Sequence, residues 1–420
     1  MPITGGNKKK ILNDPVYGFI SIPDELIFDL IEHPWFQRLR RIKQLGLTHL
    51  VYPGALHTRF HHAIGATHLM QQALDVLTSK GHEISRQESL GALTAILLHD
   101  MGHGPYSHTL EKAIIEDLHH EELSLLFMQG LEKQFGEITG IAISIFTDSY
   151  PKKYLHQLVS SQLDTDRLDF LKRDSFFTGV SEGVINSDRI ITMLDVVNDN
   201  LVVEAKGIYS VEKFLVARRL MYWQVYLHKT VLAAEQMLLQ IIRRAKFLSA
   251  QGVDLFATTP LNFFLKERVK KDDFLITPQL LDLFARIDDF DIFTAIKEWT
   301  GSSDKVLSLL CKSLVNRHLF RTEIRTQPIP YEEIAGRKDL VAKHFSLTKD
   351  EAEYFVFADI AKNSAYDPTH ERISIYFRDG RLQDISEVSD HLTAEVLSKT
   401  VKKYFICYPK SPFTGEEVFV

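Results

Sequence analysis

The chain has 420 residues with 49 Lys+Arg against 55 Asp+Glu, a net charge of −6, and is 45% hydrophobic and 25% charged. Those proportions exclude a disordered chain, argue against a protein whose main task is to coat nucleic acid, and call for about two or three folding units. No apolar run approaches the ~20 residues that span a bilayer, the GGNKKK start lacks a signal-peptide segment, and the two cysteines, Cys311 and Cys407, lie far apart. A cytoplasmic protein is therefore expected, with any metal held by His and carboxylates.

Residues 10–22, KILNDPVYGFISI, mix β-formers with the turn signals Asn13-Asp14-Pro15 and Gly18 and read as a small hairpin, a lid or an edge outside the core. From Asp24 the apolar positions recur at helical spacing, and the pattern predicts helices over 60–80, 86–100, 109–116, 120–133, 137–147 and 153–173, with a long one near 211–249. Residues 90–98, LGALTAILL, are apolar almost all round, as a helix in the middle of a bundle must be. Helical patterns continue through 259–267, 277–286, 289–299, 303–315 and 347–356, whereas 371–377 and LQDIS flank Asp379-Gly380 as a β-hairpin, with another strand at 403–408. The chain thus reads as mainly α: an N-terminal hairpin or arm (1–22), a helical core (23–250) and a mixed α+β part (251–420), divided near 250–258.

Ten of the 18 histidines fall within residues 57–120, a clustering that points to a site. Its centre is His99-Asp100-Met101-Gly102-His103-Gly104-Pro105-Tyr106-Ser107-His108, where a buried apolar helix runs into a His-Asp pair and is ended by glycines and a proline. Burying imidazole and carboxylate there is costly unless something pairs with them, and a divalent cation is an efficient partner. His61-His62 opens a helix upstream, and Asp164, Asp166 and Asp169 cluster downstream. Two imidazoles and two carboxylates suit Mn²⁺, Fe²⁺, Co²⁺ or Ni²⁺, and less obviously Mg²⁺, with Zn²⁺ left open.

The set His62, His99-Asp100 and Asp166 resembles the H…HD…D ligands of the HD-domain metal phosphohydrolases. The longer strings FQRLRRIKQLG (36–46), YPGALHTRFHHAIG (52–65), HDMGHGPYSH (99–108), DTDRLDFLKRD (164–174) and VYLHK (225–229) are similar to the deoxynucleoside triphosphate triphosphohydrolase branch. The match runs in consistent order over roughly residues 10–245. It implies an HD-domain helical bundle that hydrolyses dNTPs to deoxynucleoside and inorganic triphosphate, a metal-activated water attacking the α-phosphorus. His108 matches the histidine that protonates the leaving 5′ oxygen, with Glu111 placed to orient it and His103 and His120 on the phosphate side. Arg59 matches the cation at the α-phosphate, and Arg167 and Arg218 match triphosphate-binding cations. Gln44 and Leu45 match residues against the deoxyribose, Asp174 the carboxylate at the 3′ hydroxyl and Tyr226 a position near the base. Phe170 stands where relatives carry tyrosine, and Tyr222, in place of a histidine, reads as a core aromatic.

The resemblance further implies an intersubunit site for an activating guanine nucleotide, matched by Ile11 to Asp14, Glu32, Gln37, Arg40, His228 and Lys229, in a homotetramer or homodimer. Glu32, Gln37 and Arg40 read equally as one polar helix face. Two alternatives stay open: an HD phosphohydrolase acting on a nucleoside monophosphate or cyclic nucleotide, and a nucleotide-sensing regulator with little turnover. No membrane partner is expected, and nucleic acid is not indicated.

Overall fold

The computed structural model describes residues 10–115, 117–363, 366–367, 371–390 and 400–414, without the side chains of residues 108, 112, 413 and 414. The N-terminal turn residues act as expected: strand β1 (Ile11–Asp14) pairs antiparallel with β2 (Gly18–Ser21), and Gly18 takes φ +75°. The hairpin is more than a lid, because Ile20 and Ile22 enter the core and Asp14 is buried. Asp14 Oδ2 accepts from Arg173 Nη1 at 2.7 Å, which ties the hairpin to the centre of the bundle.

Two helices carry the core. Arg59–Ser79 starts from a capping box of Thr58 and His61, and Arg86–Leu98 from one of Ser85 and Glu88. All of residues 91–98 are buried, and this second helix packs between Arg59–Ser79 and Glu137–Phe146. Gly91 allows the approach, since a Cβ there would lie 2.4 Å from Ile141 Cγ2. His120–Phe135 completes this layer.

Two predicted helices are divided. The 153–173 pattern breaks after Lys153–Val159 and restarts at Thr165–Thr178, because the Asp164 carboxylate accepts from both Ser161 N and Arg167 N at 2.7 Å and caps a new helix. The long 211–249 pattern becomes Ile208–Met221, a π-turn at Tyr222–Tyr226, and Lys229–Ala250. His228 Nδ1 caps that last helix from Thr230 N at 3.2 Å.

Beyond residue 250, Thr259–Lys266, Asp289–Trp299 and Lys305–Val315 form as expected. The 277–286 pattern is realised as the shorter Gln279–Phe284, preceded by a helix Lys271–Ile276 that was not anticipated, and 347–356 shrinks to Lys349–Ala352. Helix Tyr331–Phe345 was not anticipated.

Strands β3 (Leu194–Val197), β4 (Asn200–Glu204), β7 (Ser374–Tyr376) and β8 (Leu382–Asp384) form one sheet in that order, with β4 and β7 parallel. The β7–β8 hairpin is the one that Asp379-Gly380 announced. Strand β9 (Val401–Tyr408) runs antiparallel between β5 (Arg321–Arg325) and β6 (Phe357–Asn363). The molecule is mainly α with a small N-terminal sheet and mixed C-terminal elements. No described helix is long and apolar enough to cross a membrane.

Candidate active site

Three side chains from three helical segments converge: His62 from Arg59–Ser79, His99 at the end of Arg86–Leu98, and Asp166 from Thr165–Thr178. His62 Nε2 lies 3.4 Å from His99 Nε2 and 3.1 Å from Asp166 Oδ1, and His99 Nε2 lies 3.6 Å from the same oxygen. The opposite ring nitrogens are occupied. His62 Nδ1 donates to Asp169 Oδ2 at 2.8 Å and His99 Nδ1 to the Ile96 carbonyl at 2.6 Å. Both rings thereby turn an Nε2 lone pair toward one point, an arrangement that repels unless a cation stands between them. The donor set therefore fits a divalent metal.

The carboxylates around this point favour positive charge there, whether a proton or a metal ion supplies it. Burial opposes charge on His62, yet hydrogen bonds to Asp166 and Asp169 push its pKa up to about 10. Burial also opposes charge on Asp169, but Arg173 and His62 hold its carboxyl down at about 2. Arg173 reaches Asp169 with Nε at 2.9 Å and Nη2 at 3.0 Å, so the chain Asp14–Arg173–Asp169–His62 runs buried into the cluster.

Asp100 stands at the edge of this cluster. Its Oδ1 is 3.4 Å from His99 Nε2 and 3.3 Å from His103 Nε2, while Oδ2 is ion-paired with Arg59. Burial opposes that charge, and the Arg59 guanidinium holds the Asp100 carboxyl well below the usual range. Arg59 also donates from Nε to Ser107 Oγ at 2.9 Å. Ser107 and Tyr106 both take left-handed φ, 50° and 52°, uncommon for residues with a Cβ. Tyr106 N is held from the C-terminal part by Asp289 Oδ1 at 2.9 Å.

A cavity of about 650 Å³ opens beside the cluster, with Gln44, Leu45, Arg59, Asp100, His103, Glu111, His120, Asp166, Phe170, Asp174 and Tyr226 in its wall. His103 stacks on His120 at 3.9 Å, and Glu111 Oε1 accepts from His120 Nδ1 at 3.0 Å. The His108 side chain lies outside the described residues, so Glu111 is placed only relative to His120. Asp174 is fixed from two sides, by Tyr226 Oη at 2.6 Å and His57 Nε2 at 2.7 Å.

The remaining residues take different places. Tyr222 is no core aromatic: it lines the cavity and meets Tyr226, four residues on, edge-on at 5.1 Å. Arg167 and Arg218 are absent from the described wall, Arg167 Nη1 being taken by Asp164 at 2.6 Å and Arg218 Nη1 by Gln162 at 3.1 Å. Of the residues expected at a nucleotide site between subunits, Asp14 is consumed inside the protein by Arg173. Ile11, Glu32, Arg40 and Lys229 are exposed, Arg40 Nε donates to Gln37 Oε1 at 2.8 Å, and His228 caps its helix. The wall also holds Ser107, from the HDMGHGPYSH string, and Thr48, Glu235, Gln236 and Arg243, for which the sequence carried no signal. Glu235, Leu239 and Arg243 recur every fourth residue, a row legible only once the helix is known to border the site.

Residues 185–255 match the HD-associated region family. The chain is 31% identical to YwfO of Bacillus subtilis over 96% of its own length and 93% of that protein. A phosphohydrolase crystal structure from Bacteroides thetaiotaomicron superposes with TM-score 0.92 at 51% identity, covering 96% of this chain and all of that one. The chain belongs to the HD-domain phosphohydrolases. It is also 32% identical to the deoxynucleoside triphosphate triphosphohydrolase SAMHD1 homolog of Dictyostelium discoideum over 54% of this chain and 48% of that protein. It thus spans about half the length of that relative.

Proposed function

We propose that this HD phosphohydrolase cleaves deoxynucleoside triphosphates to deoxynucleoside and inorganic triphosphate. The observation that carries the reading is the convergence of His62, His99 and Asp166 at the wall of a cavity that also holds Arg59, His103, His120 and Asp174. A divalent ion held by His62, His99, Asp166 and Asp100 would lower the pKa of a water and supply the nucleophile for the α-phosphorus. Mn²⁺, Fe²⁺, Co²⁺ and Ni²⁺ suit this donor set best, with Mg²⁺ and Zn²⁺ as further candidates.

The chain's own groups divide the rest of the work. Arg59, fixed through Nε by Ser107 and through Nη1 by Asp100, offers Nη2, which has no partner among the described residues, to charge building on the α-phosphate. His103 and His120 bind the phosphate chain, and burial keeps His103 neutral, so that it donates a hydrogen bond without adding charge. His108 is the proposed proton donor to the departing 5′ oxygen. Asp174, oriented by His57 and Tyr226, receives the 3′ hydroxyl, and Gln44, Leu45 and Phe170 pack on the sugar. Arg167 and Arg218 engage the triphosphate only if their present partners release them. Glu32, Gln37, Arg40, His228 and Lys229 form the proposed surface for an activating guanine nucleotide between subunits of a homo-oligomer.

The test is to supply Mn²⁺-loaded protein with each dNTP alone and then with all four, separating the phosphate products. Intact triphosphate plus deoxynucleoside is the expected result, with a rate that climbs when a second nucleotide is present. Orthophosphate or pyrophosphate as the product overturns the reaction class, and turnover of a cyclic nucleotide or monophosphate alone overturns the substrate.

A further inference from the structure

Arg38 is wholly enclosed by the protein and has no part in the chemistry above. A buried guanidinium ordinarily pairs with a carboxylate. Among the described residues none meets Arg38, and Asp288, the acid whose charge it feels, is taken by Arg41. Its donors go to main chain instead, Nη1 to the Met101 carbonyl at 2.9 Å and Nη2 to the His103 carbonyl at 2.7 Å. The Phe127 and Phe284 rings flank the guanidinium, with centroids 5.6 and 5.3 Å away.

Those two carbonyls belong to the loop that leaves the metal cluster at His99-Asp100 and enters the cavity wall at His103. A second side chain holds the same loop. Ser124 Oγ donates to the His99 carbonyl at 2.6 Å and accepts from Gly102 N at 2.8 Å. The seating is tight, since a Cβ on Gly102 would lie 2.0 Å from the His120 carbonyl oxygen. The two supports grip different ends: Ser124 holds the metal side at His99, and Arg38 holds the far side at His103. The Asp100 carboxylate is held apart from both, by Arg59. Buried carbonyls need donors, and the planar fork of an arginine serves two of them in one fixed geometry.

Resting on the reading of His103 as a phosphate contact, we propose that Arg38 is a positioning residue for it. By clamping the Met101 and His103 carbonyls, Arg38 fixes the His103 ring, stacked on His120, relative to the metal cluster, so that one polyphosphate meets both.

The test is a double-mutant cycle read by calorimetry with two probes, Mn²⁺ alone and inorganic triphosphate at fixed free Mn²⁺. Arg38→Lys keeps the buried charge and lacks the fork, whereas Arg38→Met removes both. His103→Ala should weaken triphosphate binding about 10–100-fold, the worth of one hydrogen bond to a charged group. Arg38→Lys should weaken it about tenfold and Arg38→Met at least as much, with Mn²⁺ affinity unchanged and no further loss in a His103→Ala background. Wild-type triphosphate affinity in Arg38→Lys, or losses that add to that of His103→Ala, would overturn the assignment. Mn²⁺ affinity that falls in step would make Arg38 a support of the whole fold and overturn it equally. Full triphosphate affinity in His103→Ala would instead strike the phosphate reading, and this one with it.

Discussion

His62 and His99 present their Nε2 lone pairs to one point because Asp169 and the Ile96 carbonyl hold the other side of each ring. The two layers of this site make separable predictions. His99→Ala or Asp166→Ala removes a donor, and both bound metal and turnover are expected to vanish; full activity with no metal would place the chemistry elsewhere. Asp169→Ala leaves all donors but frees the His62 ring, and metal affinity by titration is expected to fall about 10–100-fold. His108→Ala is expected to leave metal content unchanged while lowering kcat ~10²–10⁴-fold, the range for a lost general acid. The ligands were legible in the sequence because a His-Asp pair at the end of an apolar helix must offset its own desolvation, and a cation does so efficiently. Glu235 was not, because one carboxylate on a long amphipathic helix reads as a solvated position until the helix is seen to border a cavity.

Helix starts and stops were legible where a side chain caps them openly, as in Ser85-x-x-Glu88, and illegible where the apolar period runs through the break. At 159–165 and 222–229 the period continues while the backbone does not, since Asp164 and His228 cap new helices inside the pattern. Strands β5 and β6 were missed for a related reason, since short strands that gain their partner across a long sequence separation leave little local signal, whereas β3 and β4 form a local hairpin over Asn198-Asp199 whose turn signal went unread. Close helix approach gives another prediction at this scale. Gly65 lies where a Cβ would come 2.1 Å from both Arg173 Nη2 and Asp169 Oδ1. Gly65→Ala is therefore expected to destabilise the fold by ~1–3 kcal/mol, as overpacking does, and to weaken metal binding by displacing Asp169. A variant with lower Tm but native metal affinity would uncouple the Asp169–Arg173 pair from the site.

Across the whole molecule, the hairpin, the helical core and the C-terminal part all send side chains to the centre: Asp14 reaches Arg173, and Asp289 reaches Lys43 N and Tyr106 N. The pH response of the folded protein carries a signature of the cavity wall. With the Glu235 carboxyl near 8 in the folded chain and about 4.3 unfolded, the folded state holds that proton more tightly. Stability then falls as pH rises between those values and levels off above about 8. Glu235→Gln removes this cost and is expected to be more stable than wild type at pH 9 and nearly equal to it at pH 4; a difference independent of pH would mean that Glu235 is ionised throughout. The measurement that decides most directly is hydrolysis of a dNTP by the Mn²⁺-loaded protein in H₂¹⁸O, followed by mass analysis of both products. One ¹⁸O in an intact triphosphate and none in the deoxynucleoside, with no turnover by Asp166→Ala, is the expected result. Label in the deoxynucleoside, or pyrophosphate or orthophosphate in place of triphosphate, would contradict attack at the α-phosphorus.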